Sequence, residues 1–205
     1  MPKFPLIPTL VVVIAVGIMV SLGFWQLGRM QEKEAMIASY EAAVADHQVD
    51  NSHWPHESES AYRTVEFYCA GPHTTKVRAG RNANGETGWR HIVQCLLGGP
   101  DPTDESTPIL PDYEYFEGEV ALGWSRDPES IRWQGGMVRG VVEPGSKYGG
   151  RIVADPPLAG LQPLAKPDPR NLPNNHLSYA VQWFLFALTA LVIYILALKR
   201  RQRGG

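Results

Sequence analysis

Asn174-Asn175-His176 stands directly before an apolar run, and Tyr179, Gln182 and Trp183 follow within two helical turns. At helical spacing His176, Tyr179, Ala180 and Trp183 share one face. Toward the other end of the chain, Leu22, Trp25, Gln26 and Arg29 form a comparable face where a second apolar run closes. Both sets stand where their apolar runs meet the polar middle of the chain, so the two faces can meet at one depth. An aromatic belt at the headgroup level accounts for Trp25 and Tyr179. It does not account for Gln26 and Gln182, since polar groups within apolar runs cost free energy unless paired or used.

The elements that must position these residues are the apolar runs, Leu6 to Leu27 and Leu177 to Leu198, neither of which carries a charge. Each holds roughly 22 residues, which as a helix rises about 33 Å and crosses a bilayer core of about 30 Å. With only Lys3 before it and an apolar stretch longer than a signal-peptide core, the first run reads as a permanent anchor. Lys199, Arg200, Arg201 and Arg203 follow the second run and mark its cytoplasmic end. Both termini are then expected in the cytoplasm, with the middle in the periplasm of a bacterium and the anchors in its inner membrane. No presequence rich in Arg and Ser precedes the first run, which argues against an imported organelle protein. Arg29 and Lys33 oppose the charge bias, which singles out Arg29.

The expected organisation is an anchor over 1–28, a stalk helix and strand-rich domain over 29–173, and an anchor with a basic tail over 174–205. Met36, Ile37, Tyr40 and Val44 recur at three- and four-residue steps, so Met30 to Ala45 reads as a helix continuing from the first anchor. Asp46 to Ser60 is polar, contains Pro55 and reads as a loop. Strands are expected over Arg63–Ala70, Thr75–Ala79, Trp89–Leu97, Tyr115–Trp124 and Gly136–Val142, with a hairpin turn at Asn82-Ala83-Asn84-Gly85. Gly98 to Pro111 reads as a Pro/Asp/Thr loop, and Leu158 to Pro173 as an extended return. No helical period separates the strands, so the fold class is membrane α+β. Two transmembrane helices flank a small antiparallel sheet or partly closed barrel outside the cytoplasm.

A formal net charge of −2 and the lack of a basic stripe argue against nucleic acid. No Gly-x-Ser-x-Gly, Walker loop, His-Glu-x-x-His or nucleotide fingerprint is present, so an enzyme is not expected. Cys69 and Cys95 read as two small buried hydrophobes, with a disulfide as the alternative if their strands are neighbours. His47, His53 and His56 share one loop near Asp50 and Glu57, where three imidazoles can hold a divalent ion such as copper, although polar loops often carry histidines without metal.

Leu22-Gly23-Phe24-Trp25-Gln26-Leu27-Gly28-Arg29, with Lys33 after it, resembles the amino-terminal signature of the Surfeit-locus cytochrome c oxidase assembly factors. Asn174-Asn175-His176-Leu177-Ser178-Tyr179-Ala180-Val181-Gln182-Trp183-Phe184 resembles their carboxy-terminal one. Between them, the family's Arg-Gly-Trp-Val-Pro type segment stands here as Leu122-Gly123-Trp124-Ser125-Arg126. The resemblance implies a factor that binds haem a transiently and aids its insertion into the large subunit of the oxidase. Haem a synthase and membrane lipid would be further partners. It implies His176 as the iron ligand, Trp25, Gln26, Tyr179 and Trp183 as its surroundings, and Arg29 on a propionate. A cofactor-free membrane scaffold stabilising an oxidase assembly intermediate is the alternative.

Overall fold

Apolar residues alternate along the middle of the chain, and alternation makes a strand with one buried face. The computed structural model, which describes residues 5–98 and 115–203, has five strands: β1 (Thr64–Arg81), β2 (Thr87–Gly98), β3 (Phe116–Ser125), β4 (Gly136–Glu143) and β5 (Arg151–Ala154), of which β1 and β4 follow this rule while β2, β3 and β5 are buried at consecutive residues. One face contributes Val65, Phe67 and Cys69 from β1, and Val93, Cys95 and Leu97 from β2. Val120 and Leu122 of β3, Val138 and Val142 of β4, and Ile152 and Ala154 of β5 complete one core with Trp54. Ile92, Ala121, Trp124, Val153 and Leu164 form a second, smaller cluster. The strands close into a barrel in the order β1-β2-β3-β5-β4, with β4 returning to β1.

Three features depart from the sequence expectation. The two strands expected on either side of Gly71 are one strand, β1. Its register against β2 shifts between Ala70 and Thr74, where Gly71 adopts φ 55°. Extra residues bulge out there and bend the strand without ending its pairing. The bend lets β1 pair with β4 through Thr64–Cys69 and with β2 through Tyr68–Arg81, which closes the barrel. β5 was not anticipated, because four residues are too few to display a period. It lies parallel to β3, an exception to the otherwise antiparallel pairing. The expected hairpin turn is present: the Asn82 side-chain oxygen accepts from Asn84 N at 3.0 Å and Glu86 N at 2.9 Å, and Gly85 takes φ 84°. The expected loop beyond Gly98 lies outside the described residues.

The cysteines are bonded. Cys69 and Cys95 form a disulfide between β1 and β2, with Cα atoms 5.6 Å apart, so neither is the free small hydrophobe the sequence suggested. The strands are neighbours through the hairpin, which places the two residues diagonally on the same buried face.

Register also places charges opposite one another. Glu119 lies beside Arg151 in the parallel pair, and Arg151 faces Glu143 in the antiparallel one. Arg151 reaches Glu119 at 2.9 Å and Glu143 at 3.0 Å; Lys76 binds Glu119 at 3.0 Å, and Arg90 binds Glu143 through both terminal nitrogens. Each of the five strands supplies one member of this chain of ion pairs.

The apolar termini form helices. α1 runs unbroken over Leu6–Ala45, so the expected stalk and anchor are one helix. A short α2 (Glu57–Ser60) interrupts the expected loop, a 3-10 turn occupies Pro169–Asn171, and α3 spans His176–Arg203. Two compact units result, one with residues up to Ile37 and from Leu172 onward, the other Ala38–Asn171. Within the second, Tyr40 near the end of α1 packs its ring 5.0 Å from that of Tyr62.

Glu119 makes the barrel acid-sensitive. Burial alone would raise its carboxyl, but hydrogen bonds from Arg151 and Lys76, the Arg151 charge and the Ser146 hydroxyl outweigh burial and hold it below the ordinary value. A depressed folded value gives stability that is present above the ordinary carboxylate range and lost as pH falls through the folded value. Acid titration of the full-length protein, followed by denaturant melts, should show this loss. Glu119→Ala should cost about 3 kcal/mol or more at neutral pH, because Arg151 and Lys76 keep their charges without the partner.

Candidate functional site

Lipid gives apolar helices no hydrophobic reason to associate, so close packing and polar contacts must do it. α1 and α3 run antiparallel. Gln26 meets His176 at 2.8 Å near one end, and Thr9 meets Tyr194 at 2.5 Å near the other. Between these contacts the seam is made of small residues, with Gly23 buried on α1 and Ala180 and Ala187 on α3. A Cβ at Gly23 would lie 2.6 Å from the Phe184 ring, closer than any real side chain allows. The Phe24 ring packs edge-on against Phe184 at 5.4 Å.

At the Gln26 end, the hydrogen bond orients the imidazole. The Gln26 side-chain oxygen accepts from Nδ1 of His176 at 2.8 Å, an arrangement in which the neutral ring has its lone pair on Nε2. A ring oriented in this way is what a metal-ligating histidine requires. His176 borders a cleft of about 210 Å³ whose other walls are Arg29, Glu32, Lys33 and Met36. Arg29 lies three and four residues before Glu32 and Lys33, and Met36 four and three after them, so one side of α1 carries them all. The Arg29 guanidinium bonds the Glu32 carboxylate, and the two side chains stay 52% and 64% exposed.

The structure thus gathers three of the residues singled out by sequence: His176, Gln26 and Arg29. Trp25 and Tyr179 are instead 57% and 50% exposed and do not border the cleft. Neighbouring helical residues point about 100° apart, so with Gln26 turned to His176, Trp25 is turned aside. Trp183 is half-buried and stands edge-on to Phe186 at 6.1 Å. Glu32 and Met36 were missed, although their spacing from Arg29 was the available signal.

The remaining histidines lie in the barrel unit. His53 bonds Glu59 at 3.2 Å and lies 3.6 Å from Asp50, which also holds Arg63 at 3.1 Å. Among the described residues no group of three or more His, Cys, Asp or Glu side chains is disposed to hold a metal ion. His91 is fully buried, with Nε2 2.6 Å from the Ser125 hydroxyl, and burial holds its pKa below the ordinary value.

Helices long and apolar enough to cross a membrane at both ends, and a closed barrel between them, fit a two-pass membrane protein. The sequence profile of the SURF1 family matches residues 13–110 and 117–188, and the chain belongs to that family of cytochrome c oxidase assembly factors. No individual curated protein matches it. The family assembles the oxidase rather than catalysing a reaction, and this chain's role lies in that assembly.

If the Gly23–Phe184 fit holds the helix pair together, Gly23→Leu should force it apart. Cysteines replacing Thr9 and Tyr194 should cross-link readily in the parent protein and poorly in the Gly23→Leu background, as read by gel mobility under oxidising conditions.

Proposed function

We propose that the helix pair binds haem a as a transient cargo and presents it to the large subunit of cytochrome c oxidase, receiving it from haem a synthase. The observation that carries this reading is the bond from Nδ1 of His176 to the Gln26 oxygen, which orients the ring and keeps Nε2 out of that bond, so that the neutral imidazole can donate through it. Iron in haem a accepts such an imidazole, and its two propionates are anions. Nε2 of His176 would ligate the iron, while Arg29 and Lys33 supply the cations for a propionate. The exposed rings of Trp25 and Tyr179 and the half-buried Trp183 offer apolar cover to the macrocycle. The cleft is smaller than the roughly 300–1,000 Å³ of cavities that enclose a ligand. A cargo held at an open surface can be handed on, which suits a carrier better than a sealed pocket.

The basic cluster after α3 supports a cytoplasmic location for both termini. The Cys69–Cys95 disulfide supports an oxidising compartment for the barrel, which in a bacterium is the periplasm. A reporter active only in the cytoplasm should work when fused after Gly205 and fail when fused near Gly98; activity at Gly98 would overturn this topology.

A second reading, a cofactor-free scaffold, draws on Phe24, Trp25 and Tyr179, which stay exposed on the helix pair and can grip a neighbouring subunit. Absorbance separates the two. Protein purified from cells that make haem a should carry a Soret band, and His176→Ala should remove most of it while leaving the protein inserted. Substituting His47, His53 and His56 together should change nothing. Arg29→Lys should weaken haem retention by about 1.5 kcal/mol or more, roughly tenfold, because Lys cannot reproduce the two-point grip on a carboxylate. A colourless parent protein would favour the scaffold.

A further inference from the structure

The cleft beside His176 contains its own carboxylate. Glu32 lies one turn beyond Arg29 on the same face of α1, and its carboxylate already bonds the guanidinium. Glu32 holds Nη1 of Arg29, so a cargo carboxylate that grips the guanidinium through that nitrogen must displace it, and it then sits beside a second negative charge. Resting on the haem reading above, we propose that Glu32 is a built-in competitor for the cargo's propionate, which weakens binding and speeds release.

Exchange at Arg29 needs no bond chemistry. One carboxylate leaves the guanidinium as another arrives, and Lys33, on the same cleft wall, offers a second cation. Because both partners are about half exposed or more, the internal pair is weak enough to open. Return of Glu32 to Arg29 offsets the loss of the departing propionate, so the cargo leaves without stranding an unpaired guanidinium. The pair therefore acts as a counterweight in both directions of the exchange.

The prediction is a gain of affinity on removing a site residue. Glu32→Gln keeps size and helix preference but frees Arg29. Haem titrated into the full-length protein in lipid nanodiscs should bind roughly two- to fivefold more tightly to this variant, the range set by an exposed ion pair. Haem transfer to apomyoglobin in excess, which reads the release rate, should slow in proportion. Glu34→Gln makes the same change in net charge outside the cleft and should leave both quantities at parent values. Equal or weaker binding by Glu32→Gln overturns the proposal, as does an equal gain in Glu34→Gln, which would make the effect one of net charge. A parent protein that binds no haem would refute the haem reading itself. A parent that binds haem but is indifferent to Glu32 would refute only the competitor.

Discussion

Two apolar helices in lipid gain nothing from leaving lipid for each other, and the candidate site exists only because α1 and α3 nevertheless stay paired. Their seam is narrow where Gly23 admits the Phe184 ring and where Ala180 and Ala187 keep the backbones close. Gln26–His176 and Thr9–Tyr194 fix the register. At 1.5 Å per residue these two bonds are about 26 Å apart, near the thickness of the hydrocarbon core. Such bonds average about 0.6 kcal/mol each, so they choose the register more than they supply the strength. The close fit at Gly23 must supply it.

The outer bond has a second effect. A lone glutamine in an apolar helix is costly, and so is a lone imidazole; each relieves the other. In doing so Gln26 orients the ring, as a carboxylate or carbonyl partner does for histidines in metal sites. Helix pairing and the orientation of the imidazole are therefore one interaction seen from two sides, and a substitution at Gln26 would disturb both.

The parts of the molecule legible in the sequence are those governed by local periodicity. Helix limits, four of the five strands and the Asn82–Gly85 turn follow from spacing and turn chemistry. β5 was hidden by its length, and the unity of β1 by a bulge that looks like a break. The ion-pair chain was hidden for another reason: Lys76 and Glu119, or Arg90 and Glu143, meet only once the register of several strands is known. Polar residues within or beside the apolar runs singled out Gln26 and His176, which meet, and also Gln182, which is exposed. Belt residues Trp25 and Tyr179 carried the same interfacial signal but lie elsewhere around their helices. Glu32 carries no such signal, because it lies in the amphipathic stretch beyond Arg29, where charges are expected to face water.

Closure of the barrel bears on life among half-built proteins. Every strand pairs with two others along part of its length, β1 serving β4 with one half and β2 with the other, so none presents a whole free edge. An open sheet presents unpaired amides along its rim, which can template the addition of any extended chain. A factor that works beside unassembled subunits meets many such chains. With only partial strand edges free, this domain offers such chains a shorter template than an open sheet would.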